Sequence, residues 1–100
     1  AEKAKADARE IYKRRGEFLI DLFAKELNLK ATSPEGAFYT MLDVRSIGDD
    51  LEIAEKFLQN RVITVPGIAF GSEAKGFLRV SFCQPEEKIA EGVRRMKEAL

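Results

Sequence analysis

The chain is 100 residues long, 45% apolar and 34% charged, with 17 basic against 17 acidic side chains and a formal net charge of zero. That length fits one domain, residues 1–100, with a modest core; folding at this size buries about 60–70% of the extended chain's surface. The charge balance gives no electrostatic footprint for nucleic acid or an anionic membrane. Histidine is absent and Cys83 is the sole cysteine, which excludes an internal disulfide, a histidine-based nucleophile pair and a Cys/His metal site.

No apolar run is long enough for a membrane span or a secretory leader, and a lone cysteine fits the reducing cytoplasm. The chain opens at Ala1 rather than at a methionine, as expected of an excised domain.

Residues 2–27 are expected to form one long helix, with Ile11, Tyr12, Phe18, Leu19, Leu22, Phe23 and Leu27 on one face at helical spacing. Ala1 to Glu10 carry only alanine and charge. They form helix readily, bury little and are expected to protrude or fray. Asn28 is a natural stop, and Ser33-Pro34 forbids helix in the connection that follows. A first strand, β1, is expected over 37–44, with Phe38, Leu42 and Val44 pointing one way and Ala37, Tyr39 and Met41 the other. Both faces are fairly apolar, so the strand is expected to be covered on both sides for part of its length. Asp49 and Glu52 have capping-box spacing for a helix running to Gln59, with Leu51, Ala54, Phe57 and Leu58 inward. A β-branched strand β2 over 62–65 ends at Pro66-Gly67. After a glycine-punctuated loop, a third strand, β3, spans 77–83. Pro85, Glu86 and Glu87 open the last helix, whose stripe is Ile89, Val93, Met96 and Leu100.

The order is therefore α-β-α-β-β-α, an α/β (α+β) two-layer domain with helices on one face of a three-stranded mixed sheet. The helical crossover makes β1 and β2 parallel, and β3 returns antiparallel. Pattern alone leaves the strand order open between β1-β2-β3 and β1-β3-β2.

Arg79 is the residue of greatest chemical interest. Leu78, Val80 and Phe82 define the core face of β3, so Arg79 lies on the other face with Phe77 and Ser81. One reading is an arginine on a solvated sheet face. The other is a carboxylate clamp, since the two parallel N–H groups of guanidinium match the two carboxylate oxygens. Gly67, Gly71 and Gly76 punctuate the loop before it. A phosphate cradle would need a helix N-terminus and a Lys-Ser/Thr pair, and neither follows, so these glycines serve backbone conformation. The runs Lys13-Arg14-Arg15 and Arg94-Arg95-Met96-Lys97 are diluted by nearby acids and read as solvated helix faces.

Two segments taken together resemble a known family. Ser33-Pro34-Glu35-Gly36-Ala37-Phe38-Tyr39 is one. The other is Pro66-Gly67-Ile68-Ala69-Phe70-Gly71 followed by Gly76-Phe77-Leu78-Arg79-Val80-Ser81-Phe82. They resemble the C-terminal small domain of fold-type I, pyridoxal-phosphate-dependent aminotransferases of the class I/II, aspartate aminotransferase-like kind. Tyr12-Lys13-Arg14-Arg15 is similar to the segment that opens that domain, so the resemblance covers essentially the whole chain. It departs at Cys83-Gln84, where the family more often has small residues, and this leaves substrate preference open.

The resemblance implies the strand order β1-β3-β2. It implies that Arg79 binds the substrate's α-carboxylate, that Tyr39 is a second substrate-binding residue, and that the loop at Pro66–Gly71 shapes the substrate entrance. It also implies what this chain does not contain. In the family the lysine that binds pyridoxal 5'-phosphate, the aspartate paired with its pyridine nitrogen and the phosphate ligands lie in a large domain. None of them is present here, so the expectation is no catalytic residue, no cofactor and no metal in this chain.

Two functional readings follow. In the first the chain is an isolated or engineered aminotransferase small domain, not an enzyme alone. In its parent it supplies Arg79 and closes over the active site. Its partners are then the large domain and the amino-acid or keto-acid substrate there, not nucleic acid or membrane, and the isolated chain is a monomer or self-associates weakly. In the second it is a stand-alone α/β interaction or scaffold module without small-molecule chemistry. A small enzyme ranks last, because no base or nucleophile pair is visible.

Overall fold

The computed structural model describes residues 2–32 and 38–100. The Ser33-Pro34 break, Glu35-Gly36 and the expected strand start at Ala37 lie outside the described residues. Helix α1 spans Glu2–Leu22 and runs on as a π turn, Phe23–Leu27. Then come β1 (Tyr39–Asp43), α2 (Asp50–Gln59), β2 (Val65–Pro66), two 3-10 turns (Gly67–Phe70 and Ser72–Ala74), β3 (Phe77–Ser81) and α3 (Glu86–Ala99).

The α1 stripe forms as its spacing predicts. Leu19 and Phe23 are buried, with Tyr12, Phe18, Leu22 and Leu27 at the core margin. The core begins only at Leu19, so Ile11 stays outside it. Asn28 ends the helical stretch in the left-handed conformation, φ 55° and ψ 40°, and donates its N–H to the Phe23 carbonyl. Asparagine tolerates that conformation and is a natural helix stop.

In β1, Thr40 and Leu42 face the core, and Val44 beyond the strand is also buried. Phe38 does not join them, contrary to the strand alternation. It precedes the regular strand, stays 54% exposed, and sets its ring edge-on to Tyr12 with centroids 4.7 Å apart. The outer edge of β1 is covered by residues 30–32. Asp43 N–H donates to the Lys30 carbonyl at 2.8 Å, and Thr32 N–H to the Met41 carbonyl at 3.0 Å. This satisfies backbone groups that an open sheet edge would leave unpaired.

Helix α2 is capped as expected, the Asp49 carboxylate accepting the Glu52 N–H. Its buried face is rotated from expectation. Phe57 and Ala54 pack inward as expected, but Asp50 and Ile53 join them while Leu51 and Leu58 are exposed. Two adjacent stripes of this helix carry apolar residues, and the one led by a buried aspartate wins. Strand β2 is shorter than expected because residues 60–62 finish α2 instead. The N–H groups of Asn60, Arg61 and Val62 return to carbonyls of its last turn, with Arg61 at φ 66°.

The sheet order is β1-β3-β2. β3 pairs antiparallel with both neighbours. β1 and β2 share a direction, as the crossover requires, but β3 separates them, so every hydrogen-bonded pair is antiparallel. Leu42, Leu78, Val80 and Phe82 from one sheet face join Leu19, Phe23, Ile53, Phe57, Ile89, Val93 and Met96 from the helices in one cluster. The other face of β1 is covered only in part, with Tyr39 exposed and Met41 and Asp43 half-buried. None of the described helices is long and apolar enough to cross a membrane.

Candidate substrate-binding face

Alternation along β3 buries Leu78, Val80 and Phe82 and turns Phe77, Arg79 and Ser81 outward, which is the register the sequence predicts. Arg79 stands on the central strand, opposite Met41 of β1 and Val65 of β2. Tyr39 pairs with Ser81, so it reaches Arg79 on the diagonal of the ladder. The guanidinium carbon lies 5.0 Å from the Tyr39 ring centroid and 4.6 Å from that of Phe70. Both distances are within cation–π range. None of the ion pairs among the described residues involves Arg79.

The structure thus brings together the two residues singled out from sequence, Arg79 and Tyr39, and adds Phe70. The signal for Phe70 is an aromatic residue between Gly67 and Gly71 in the Pro-Gly loop, but residue spacing does not say where that loop folds back. The loop consists of two 3-10 turns. Gly67 is required there, since a Cβ would stand 1.8 Å from the Ala74 carbonyl oxygen. Gly71, at φ 131°, needs glycine for its backbone conformation alone.

A second arginine reaches the same face. Arg45 Nε and Nη2 donate to the two oxygens of Asp43 at 3.0 and 2.8 Å, and its guanidinium carbon lies 4.9 Å from the Phe77 ring centroid. The side-chain hydrogen bond from Arg45 holds the Asp43 carboxyl below the ordinary aspartate range. At the far end of the domain, Arg15 of the Tyr12–Arg15 motif donates to the Cys83 carbonyl at 3.0 Å, tying α1 to the exit of β3.

The residues gathered around Arg79 do not by themselves fit pyridoxal phosphate. Tyr39, Met41, Val65 and Phe70 provide no amine for a Schiff base. The loop beside them is made of turns three and four residues long, too short for the helix N-terminus that cradles a phosphate. What the arrangement offers is a cation lying over two aromatic rings.

No family model matches the chain. Its sequence is 37% identical over 99 residues to a probable aspartate/prephenate aminotransferase of Aquifex aeolicus, covering 94% of this chain and 25% of that protein. An aromatic aminotransferase from Pyrococcus horikoshii superposes with a TM-score of 0.89 at 33% identity, over 98% of this chain and 26% of that one. The aspartate aminotransferase from Thermus thermophilus with maleate gives 0.85 at 36% identity, over 95% of this chain and 24% of that one. The chain therefore spans about a quarter of the length of its relatives, and in sequence and fold it matches the C-terminal small domain of the aspartate aminotransferase-like aminotransferases.

Proposed function

We propose that the chain serves as the small domain of a pyridoxal-phosphate-dependent aminotransferase, in which Arg79 holds the α-carboxylate of the amino or keto acid and Tyr39 lines the same place. The observation that carries this reading is the arginine's surroundings. Two aromatic rings cover it, and no described carboxylate neutralises it. Ring faces attract the flat cation and leave its N–H edge to an incoming carboxylate, which binds bidentately. The Thermus relative was solved with maleate, a dicarboxylate, which agrees with carboxylate recognition.

The rest of the machinery belongs to a large domain. The cofactor held there supplies an electron sink for bonds at the substrate's α-carbon. This chain orients the substrate and, on closing over the active site, excludes water from it. Residues 1–100 form one domain, cytoplasmic and catalytically silent alone. Its partner is the large domain, and without it the chain is a monomer or self-associates weakly.

The decisive experiment joins this chain to a large domain of the family and measures kcat/KM for its best amino acid. Truncating a buried, hydrogen-bonded charge pair costs about 2–5 kcal/mol, so Arg79→Ala should lower kcat/KM by about 30- to 5000-fold. A change smaller than about threefold defeats the assignment. The isolated chain, with the same arginine open to water, should bind amino or keto acids no tighter than about 1 mM. Incubated with pyridoxal phosphate, it should show neither turnover nor stoichiometric modification of a single lysine.

A further inference from the structure

Asp50, at the first position of α2, is 1% exposed, yet it lies outside the site just described. One carboxylate oxygen, Oδ1, accepts the N–H of Leu51 at 2.9 Å. The other, Oδ2, accepts two N–H groups from far along the chain, those of Ile68 at 3.0 Å and Gly76 at 3.3 Å. Ile68 and Gly76 stand at the two ends of the loop that carries Phe70. A single oxygen therefore ties both ends of that loop to the start of a helix packed in the core.

One further backbone bond leaves the loop, the Val44 N–H donating to the Gly76 carbonyl at 3.0 Å, and the others are internal. Gly71 N–H donates to the Ile68 carbonyl at 3.2 Å, Ala74 N–H to the Gly71 carbonyl at 3.1 Å, and Lys75 N–H to the Ser72 carbonyl at 3.3 Å. These fix the shape of the turns without fixing where they sit. No other described side chain hydrogen-bonds the backbone of residues 67–76. Phe70 is 49% exposed, so its ring position follows the loop rather than a core socket.

Aspartate suits this task. Its carboxylate only accepts, and three N–H donors together with the positive end of α2 offset the cost of burying it. We propose that Asp50 is a positioning residue. Its buried carboxylate sets the placement of the 67–76 loop and so holds the Phe70 ring over the Arg79 guanidinium. The functional meaning of this rests on the carboxylate-binding reading of Arg79, whereas the clamp itself does not.

The test uses the 100-residue chain with two variants. Asp50→Asn keeps the shape but turns an amide donor toward one of the N–H groups. Asp50→Ser keeps a single small acceptor. The first measurement is amide hydrogen exchange. Opening confined to the loop should speed Ile68 and Gly76 by about tenfold or more relative to Leu78 and Val80 in the core strand. The second is the Nε proton resonance of Arg79, which the ring current of a nearby Phe70 should displace. In the Asp50 variants it should move toward its position in a Phe70→Leu variant. A purely structural role would leave that resonance in place.

If the loop amides stay protected, or accelerate only as much as Leu78 and Val80, the clamp is wrong. If the loop opens but the Arg79 resonance does not move, the positioning role is wrong. If both variants unfold, Asp50 supports the whole fold and the proposal falls. Every measurement is made without substrate, so a failure of carboxylate binding at Arg79 and a failure of the clamp are told apart.

Discussion

Arg45 and Arg79 reach the same outer face of the sheet, and each guanidinium lies over an aromatic ring. They differ in what their N–H groups meet. Arg45 is satisfied from within its own turn, where Asp43 takes it with both oxygens two residues away in sequence. Arg79 has no such neighbour among the described residues. Its strand partners are Met41 and Val65, and its second ring comes from a loop. A local carboxylate makes an arginine a structural staple. An arginine ringed by apolar and aromatic side chains retains its capacity for a carboxylate from outside.

The largest effect should come from the opposite face of β3. Phe82 is fully buried in the core cluster, and Phe82→Ala is expected to cost about 3–5 kcal/mol in a denaturant titration. Arg79→Ala removes only half-exposed cation–π contacts, for which about 1 kcal/mol or less is expected. Equal losses would mean that Arg79 is a structural residue like Arg45, and the comparison would collapse.

Gly76→Ala gives an intermediate effect and disturbs Arg45 selectively. Gly76 sits at φ 94°, and an added Cβ would lie 2.5 Å from Arg45 Cγ. A non-glycine residue forced into this conformation costs about 1–3 kcal/mol. The Arg45 stem must also shift, loosening its hold on Asp43. A variant with unchanged stability would show that the turn relaxes freely.

Much of this contrast is legible in the sequence. The alternation Leu78, Val80, Phe82 fixes which face Arg79 occupies, and Asn28, Asp49 and Pro85 mark helix ends by side-chain chemistry. Where local chemistry gave no unique answer, the reading failed. In α2 Phe57 and Ala54 pack inward as expected, but Leu51 and Leu58 give way to Ile53, and only the loop at Ile68 and Gly76 explains why the helix turns an aspartate inward. Phe38 obeys strand alternation on paper but packs on Tyr12 outside the sheet. Phe70 and Asp50 gain their places through contacts distant in sequence, which spacing does not encode.

The smallest expected effect concerns pH. In the native chain the Asp43 carboxyl lies below its ordinary value of 3.8, chiefly through the side-chain hydrogen bond from Arg45. A carboxyl depressed on folding adds stability above its unfolded value, and that contribution is lost as pH falls through the lower folded value. Arg45→Ala removes the main cause, so Asp43 should titrate closer to 3.8. The stability difference from the parent chain should be constant above that pH and shrink below it. The pair is exposed on its arginine side, with 65% of that side chain accessible, so the difference is screened and weakens with added salt. A carboxyl-detected titration of Asp43 at low and high salt measures both effects. Arg79→Ala is the control: no carboxylate among the described residues depends on it, and the Asp43 curve should not move. If it does move, the two arginines share one electrostatic network, and Arg79 is not kept apart for an external carboxylate.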